Sequence, residues 1–345
     1  MKYLLFFLFV LANATAQSQN SQPLMADSVK AFLDESLQIL QQNAINRDSV
    51  DWNALRSRVY GKAAGAKSYE EVLPIYPYLF EQIGDHHGAL KYKGKSYYWK
   101  GNSTRYTNQA VLNAVKKYTS IKVQKIGRHT GYILLPGNND FNGKNINKEA
   151  QIIRDAIATI DSKKISGWII DLRVNTGGSM YEMLAGLGLL LGDGKVGRFV
   201  DQHQKPEESW IIKGGNIYLD SAQVSNIANN NPVKKAKRKT VPIAVLLSGQ
   251  TASSGEVVAI STIGRTGTIR IGENSAGYTT GNKGFEINKQ AGLNLAVDFD
   301  ADRTGKIYRD HITPEISISG GDDFENLERD HKVKAALDWL KRKSY

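Results

Sequence analysis

Two serines, Ser253 and Ser254, stand where the apolar run "VPIAVLLS" stops and the turn "GQTA" leads into "SSGEVVAIS". A serine at the carboxyl end of a buried strand, just ahead of a helix, is held rigidly and faces the positive end of the helix dipole. That setting suits a nucleophile whose attack develops negative charge. It equally suits an N-cap, in which the hydroxyl satisfies a backbone N–H of the first turn. This segment alone does not decide between them. A second segment bears on the choice. In "IIDLRVNTGGSM" another apolar strand ends at Asp171-Leu172-Arg173, and Gly177-Gly178 follow before a helix. Paired glycines can present backbone N–H groups without side-chain obstruction. Donors of that kind form an oxyanion hole, each worth about 2.7–4 kcal/mol of barrier. The same glycines also fit a plain strand–helix turn, so the two segments gain meaning only if one sheet brings them together.

The elements around them predict such a sheet. From Gly131 onward, strand and helix alternate: "GYILLPG", a helix over 148–161, "SGWIIDLRV", the helix "MYEMLAGLGLLLG", "VPIAVLLS", a helix over 255–263, and "TIRIGE". This alternation implies a mostly parallel sheet covered on both faces, with strand ends gathered on one rim. Upstream, Val29, Phe32, Leu33, Leu37 and Leu40 fall on one helical face. A second helix is expected over 51–63. A third is expected over 68–84, opened by a Ser68/Glu71 capping box and closed by Gly84. The organisation expected is therefore a small helical domain (21–90), a linking β segment (91–130) and an α/β core (131–345). "FVDQHQKPEESWIIKGGNIYLD" reads as a hairpin, with Trp210 and Tyr218 as packing residues.

Composition narrows the partners. The opening "MKYLLFFLFVLANATAQSQ" has a positive start, an apolar run and a small-x-small site at Ala14-Thr15-Ala16, so residues 1–16 read as a signal peptide and the chain as exported, periplasmic or secreted. The chain has no cysteine, hence no disulfide. No segment is long and apolar enough for a membrane helix. The net charge is +11, but the only basic run, Lys234 to Lys239, sits in a polar stretch expected as a solvated loop. No nucleic-acid partner is therefore expected. Asp85-His86-His87 offers no third ligand at useful spacing, and neither a metal nor another cofactor is expected.

Four ordered motifs resemble the S41 serine peptidases, the group of the carboxyl-terminal processing proteases and the tricorn core. "GWIIDLRVNTGG" resembles their strand and glycine loop, and "SGQTASSGE" their nucleophile turn. "TIRIGENSAG" and "DRTGKIYRDHITPEISI" resemble the segments that follow. The likeness covers residues 131–318, with "VDWNAL" and "GDHHGAL" upstream. It implies a ClpP/crotonase-like α/β spiral core and hydrolysis of peptide bonds through an acyl-enzyme. Ser253 matches the nucleophile, with Ser254 as its rival, and Glu256 matches the acid of the turn. The backbone of Ser254, with Gly177 or Gly178, matches the oxyanion donors.

The general base separates two branches of that family. The processing proteases use a lysine, but Tyr278 stands at its place here, and a phenol ionising near pH 10 is a poor base at neutrality. Lys283 could serve only by displacement. The tricorn branch uses a histidine, and "LFEQIGDHHGAL" resembles its pattern with His87 at the histidine and His86 beside it. Imidazole titrates near neutrality and can carry a proton from serine to leaving amine. The group orienting it is expected to be Asp302, with Asp310 as the alternative, because Tyr308 falls near the family's glutamate. Asp171 and Arg173 are expected to brace the loop. The stretch between Leu90 and Gly131 is too short for the PDZ domain many processing proteases carry. A peptide-binding protein of the same fold without catalysis is the competing reading.

Overall fold

The computed structural model describes residues 24–101, 108–138, 143–227 and 241–343. The expected signal peptide and the basic run Lys234–Lys239 lie outside the described residues.

The apolar runs form the centre of one sheet. Among the described residues its strand order is Ile316–Ser317, Thr268–Gly272, Ile243–Leu247, Gly167–Asp171, Thr130–Leu134, Lys122–Ile126. Neighbours run parallel except for the last pair. The three strands Thr130–Leu134, Gly167–Asp171 and Ile243–Leu247 are buried at every residue, as parallel strands covered on both faces must be. The pleat sends Ile170, Val245 and Leu247 into a core with helices Ile146–Ala158, Met180–Leu191 and Ser254–Thr262. Ile169, Ala244 and Leu246 go to the other face, under helix His331–Lys343. Register pairs Leu246 with Asp171 and Leu247 with Gly272. Three loops, the serine turn, the glycine loop and residues 273–279, therefore leave one edge together. This is the α/β core, with helices at its N-terminal side, that the alternation implied.

A second sheet was not legible as such in the sequence. Its order is Lys95–Tyr97, Ala89–Tyr92, Ala291–Asp302, Gly194–Val200, Pro206–Lys213, Asn216–Leu219, Ala222–Gln223, with Thr280–Asn288 and Ile307–Tyr308 also paired to Ala291–Asp302. Every pairing is antiparallel. The hairpin expected around Trp210 belongs to it. Trp210 is fully buried, its ring 4.9 Å from that of Phe199, within the core that the Met180–Leu191 helix also covers.

The N-terminal helices Asp27–Asn43, Trp52–Lys62, Tyr69–Val72 and Ile75–Gln82 bury the expected stripe from Val29 to Leu40. Their core is shared with Leu90, Leu293 and Leu295 of the second sheet, so they pack on that sheet rather than enclosing a core of their own. The single helix expected over 68–84 is broken at Pro74, which lacks the N–H needed to continue it. Ser68 donates to the Glu71 carboxylate (2.9 Å) and caps no backbone group. Gly84 ends the run with φ +67°. The segment expected as a β link contains helix Gln109–Lys117, and the core sheet begins at Lys122, ahead of residue 131.

Candidate active site

The serine turn is tied to the glycine loop by hydrogen bonds between strand ends. Ser248 Oγ donates to Arg173 O (2.7 Å), Thr251 Oγ1 to Leu172 O (2.8 Å), and Ala252 N to Asn175 O (2.9 Å). Ser253 then takes φ 51°, ψ −119°, a region that non-glycine residues rarely adopt. Holding it there costs roughly 1–3 kcal/mol, which neighbouring contacts must offset. Helix Ser254–Thr262 starts at once, so the Ser253 side chain stands at its N-terminal end.

Gly177 lies directly against this serine. A Cβ on Gly177 would sit 2.9 Å from Ser253 Cβ and 3.5 Å from its Oγ, and the φ of +106° is itself a glycine conformation. Its N–H, however, donates to Asn175 Oδ1 (3.1 Å). Of the two glycines expected as oxyanion donors, Gly177 thus lies against the serine with its N–H already engaged. The N–H groups of Gly178 and Ser254 have no acceptor among the described residues. Ser254 Oγ donates to Gly178 O (2.7 Å) and fastens the loop to the turn. Both serines line the cleft, but only the Ser254 hydroxyl is tied to the glycine loop.

Glu256 anchors the turn from below. It is fully buried, and Oε2 accepts from the N–H groups of Ser253 and Tyr278 (2.8 Å each). Oε1 accepts from Ser275 Oγ (2.5 Å) and Gly277 N (2.8 Å). Burial pushes the carboxyl up to about 7, against the pull of those four donors. Burial also raises Asp85, and raises Asp300 with added repulsion from Glu256 and Asp298. A measurable sign follows. The folded protein keeps a proton on Glu256 up to about pH 7, the unfolded chain only to about 4.5. Stability therefore falls as pH rises through that window, by about 3 kcal/mol from this group. Asp302 and Asp330, held below the usual carboxylate range, act oppositely and lose their contribution only in stronger acid. Urea unfolding is expected to give higher stability at pH 5 than at pH 8. Equal or greater stability at pH 8 would contradict the assignment.

His87 enters from the turn after helix Ile75–Gln82. Buried Asp85 accepts from the N–H groups of His87 (2.9 Å) and Gly88 (2.7 Å) through Oδ1, and from Ala296 N (3.0 Å) through Oδ2. This pins the turn to strand Ala291–Asp302. Nδ1 of His87 lies 2.7 Å from Thr280 Oγ1. Asn282 fixes the direction of that bond. Its Nδ2 donates to His87 O (3.1 Å), so its Oδ1 receives the Thr280 hydroxyl proton (3.2 Å). Thr280 oxygen then accepts from Nδ1–H, which places the basic lone pair of the ring on Nε2. His86 differs: its Nε2 lies 2.8 Å from Gly277 O, a structural tie. The Tyr278 ring packs on both imidazoles, with centroids at 5.1 and 4.9 Å.

Three expected or rival residues stand elsewhere. The structure puts Thr280 rather than Asp302 on Nδ1 of His87. Asp302 Oδ1 instead accepts from Thr304 N, Thr304 Oγ1, Gly305 N and Lys306 N, and Oδ2 from Tyr308 OH, closing its own turn. Asp310 is exposed beside His311 (3.0 Å). Lys283 is exposed on the second sheet, 3.6 Å from Asp298. Sequence reasoning named Asp85 only as part of the histidine motif, and it missed Thr280, Asn282 and Asp300, whose carboxyl is wholly buried with neither oxygen hydrogen-bonded among the described residues. A cleft of about 690 Å³ is lined by Ser253, Gly178, His87, Thr280 and Asp300 together with apolar Phe199 and Met180.

In fold terms, a parallel sheet whose serine turn and glycine loop meet at one edge defines an α/β class, and comparison with known proteins names the group within it. Residues 129–318 match the model of peptidase family S41. A nisin-resistance protein from Lactococcus lactis subsp. lactis is 26% identical over 321 residues, 92% of this chain and 89% of that one. A lipoprotein from Streptococcus agalactiae superposes with TM-score 0.68 at 23% identity, covering 93% of this chain and 98% of that one. The photosystem II D1 C-terminal processing protease superposes with TM-score 0.55 at 11% identity, over 86% and 94%. The chain belongs to peptidase family S41.

Proposed function

We propose that this protein is an exported serine peptidase that cleaves peptide bonds through an acyl-enzyme, with Ser253 as nucleophile and His87 as base. One observation carries the reading: Ser253, Gly178 and His87 line a single cleft, with the serine on a strained turn at a helix N-terminus. Ser253 Oγ attacks the substrate carbonyl carbon while Nε2 of His87 takes the hydroxyl proton. The resulting oxyanion accepts from the N–H groups of Gly178 and Ser254. His87 then returns the proton to the departing amine, and a water repeats the sequence on the ester. Thr280 holds the tautomer from Nδ1 in the place where a triad has a carboxylate. Family membership supports peptides or proteins as substrates. Similarity to a lipoprotein and the apolar N-terminal run support export.

Binding without turnover is the competing reading, favoured by that hydroxyl in place of a carboxylate. A fluorophosphonate probe read by intact mass separates the two. One adduct mapping to Ser253, lost in Ser253→Ala and kept in Ser254→Ala, is the expected result. A folded protein that takes no label favours the binding role.

A further inference from the structure

Asp300 has no part in the chemistry above, yet it is among the residues that line the same cleft. Its backbone is locked between Phe199 on one side and Tyr308 on the other, and its N–H donates to Thr279 O (3.1 Å). The side chain is 0% exposed, and neither carboxyl oxygen has a hydrogen-bond partner among the described residues. An orphaned buried acid is rare because it forfeits hydration and receives nothing in return. Asp300 is among the residues that line the cleft, so a ligand group pressed into its wall can supply the missing partner.

The surroundings specify the chemistry of that partner. Asp298 and Asp300 alternate on one face of strand Ala291–Asp302. Asp298 and Glu256, the latter on the helix that starts at Ser254, both repel a charge on Asp300. Lys283 and Arg309 are engaged elsewhere. Lys283 lies 3.6 Å from Asp298, and Arg309 stacks over the ring of Phe299 at 4.2 Å. Lys91 lines the cleft without bonding either Asp300 oxygen. Asp300 is the one carboxylate among the described residues lining the cleft, with Asp298 and Glu256 near it, in a chain whose net charge is +11, so attraction of a cation here is local. Phe199, Met180 and Val257 on the walls suit the methylene stem of a long basic side chain.

We infer that Asp300 is the specificity determinant of the cleft, receiving a lysine or arginine side chain of the peptide substrate as a buried ion pair; this rests on the peptidase reading of the same cleft. The ammonium or guanidinium pairs with the Asp300 carboxylate, so no bond is made or broken in binding. The acid left unpaired in the free protein is the counterpart of that selectivity, since a basic side chain supplies the missing donor and a neutral one of equal length leaves the carboxyl orphaned.

The test uses the full chain carrying Ser253→Ala, so that no bond is cut, and two fluorescein-labelled alanine-rich octapeptides that differ only in one central lysine or norleucine. Anisotropy titrations are expected to show the lysine peptide binding at least about tenfold more tightly. Adding Asp300→Asn is expected to reduce that ratio to about twofold or less. Equal binding of the two peptides before any change at Asp300, or binding of neither, overturns the inference without reliance on a second variant. A lysine preference that survives in a folded Asp300→Asn protein overturns it as well. Fluorophosphonate labelling of the otherwise unaltered chain is scored separately. Labelling without lysine preference sinks this inference alone. Lysine preference without labelling removes the peptidase reading and leaves Asp300 as the heart of a binding site for basic peptides.

Discussion

Replacing His87 by alanine is expected to slow acylation of Ser253 by about 10²–10⁴-fold, the range that one positioned general base contributes. The expectation rests on how firmly the ring is set. Asp85 fixes the backbone of the turn, Asn282 holds its carbonyl, and Thr280 holds Nδ1, leaving Nε2 as the basic nitrogen. The oxyanion donors do not depend on the imidazole, so a residual rate should survive, as it does when single members of such units are removed. Thr280→Val keeps the shape of the side chain but lets the ring choose its tautomer, and a smaller loss of about tenfold is expected, by analogy with weakened orientation of a catalytic histidine. Lys283→Met should change little, because that ammonium lies on the outer sheet beside Asp298. The measurement is the second-order rate constant for fluorophosphonate inactivation. His87→Ala reacting at the parental rate would move the base elsewhere, and a large loss in Lys283→Met would name where.

What the sequence disclosed and what it withheld follow from how local each signal is. Ser253, Gly177 and Gly178 were legible because strand ends, glycines and helix starts leave their marks within about ten residues of one another. The parallel sheet that joins them was legible for the same reason. The partition between the two glycines was not, because it turns on the Asn175 side chain reaching Gly177 N–H, a rotamer rather than a pattern. Thr280 was out of reach because it meets His87 across 193 residues, from the mostly polar antiparallel strand Thr280–Asn288 that no apolar pattern marks in the sequence. Asp302 drew attention as an acid closing the strand-like run "LNLAVDFDA", whereas Asp300, two residues earlier, is the acid that lines the cleft. Alternation marks both as sharing a face. Only the turn at 303–306, which saturates Asp302 with donors, tells them apart.

Arg173→Ala is expected to lower unfolding stability by about 3–5 kcal/mol or more, the usual result of stranding buried charges. Arg173 was expected to brace the glycine loop, and its surroundings show how. Its guanidinium is fully buried, bonding Asp171 through Nε (2.9 and 3.1 Å) and Nη2 (2.5 Å), and Asp322 and Asp330 through Nη1 (2.6 Å each). It also lies over the Phe324 ring at 4.2 Å. Lys332, equally buried, bridges Asp322 and Glu273 (2.7 and 2.8 Å). Two cations therefore serve four carboxylates, and without the arginine one lysine must serve all four. The carboxylates hold the Arg173 charge firmly in spite of its burial, and that charge helps to hold Asp330 below its ordinary range. Arg173→Lys should be intermediate, since a single ammonium cannot reach three carboxylates with the geometry of a planar fork. The network also lies directly behind the active edge. Arg173 O accepts from Ser248, and Asn175, two residues on, holds both Gly177 N–H and Ala252 N–H. Urea unfolding of Arg173→Ala should thus show a lowered midpoint. Fluorophosphonate labelling, measured where the variant is still folded, should show slower reaction at Ser253. A variant that keeps parental stability would mean the six buried charges contribute nothing net. One that loses stability but labels at the parental rate would free the serine turn from any dependence on the charges behind it.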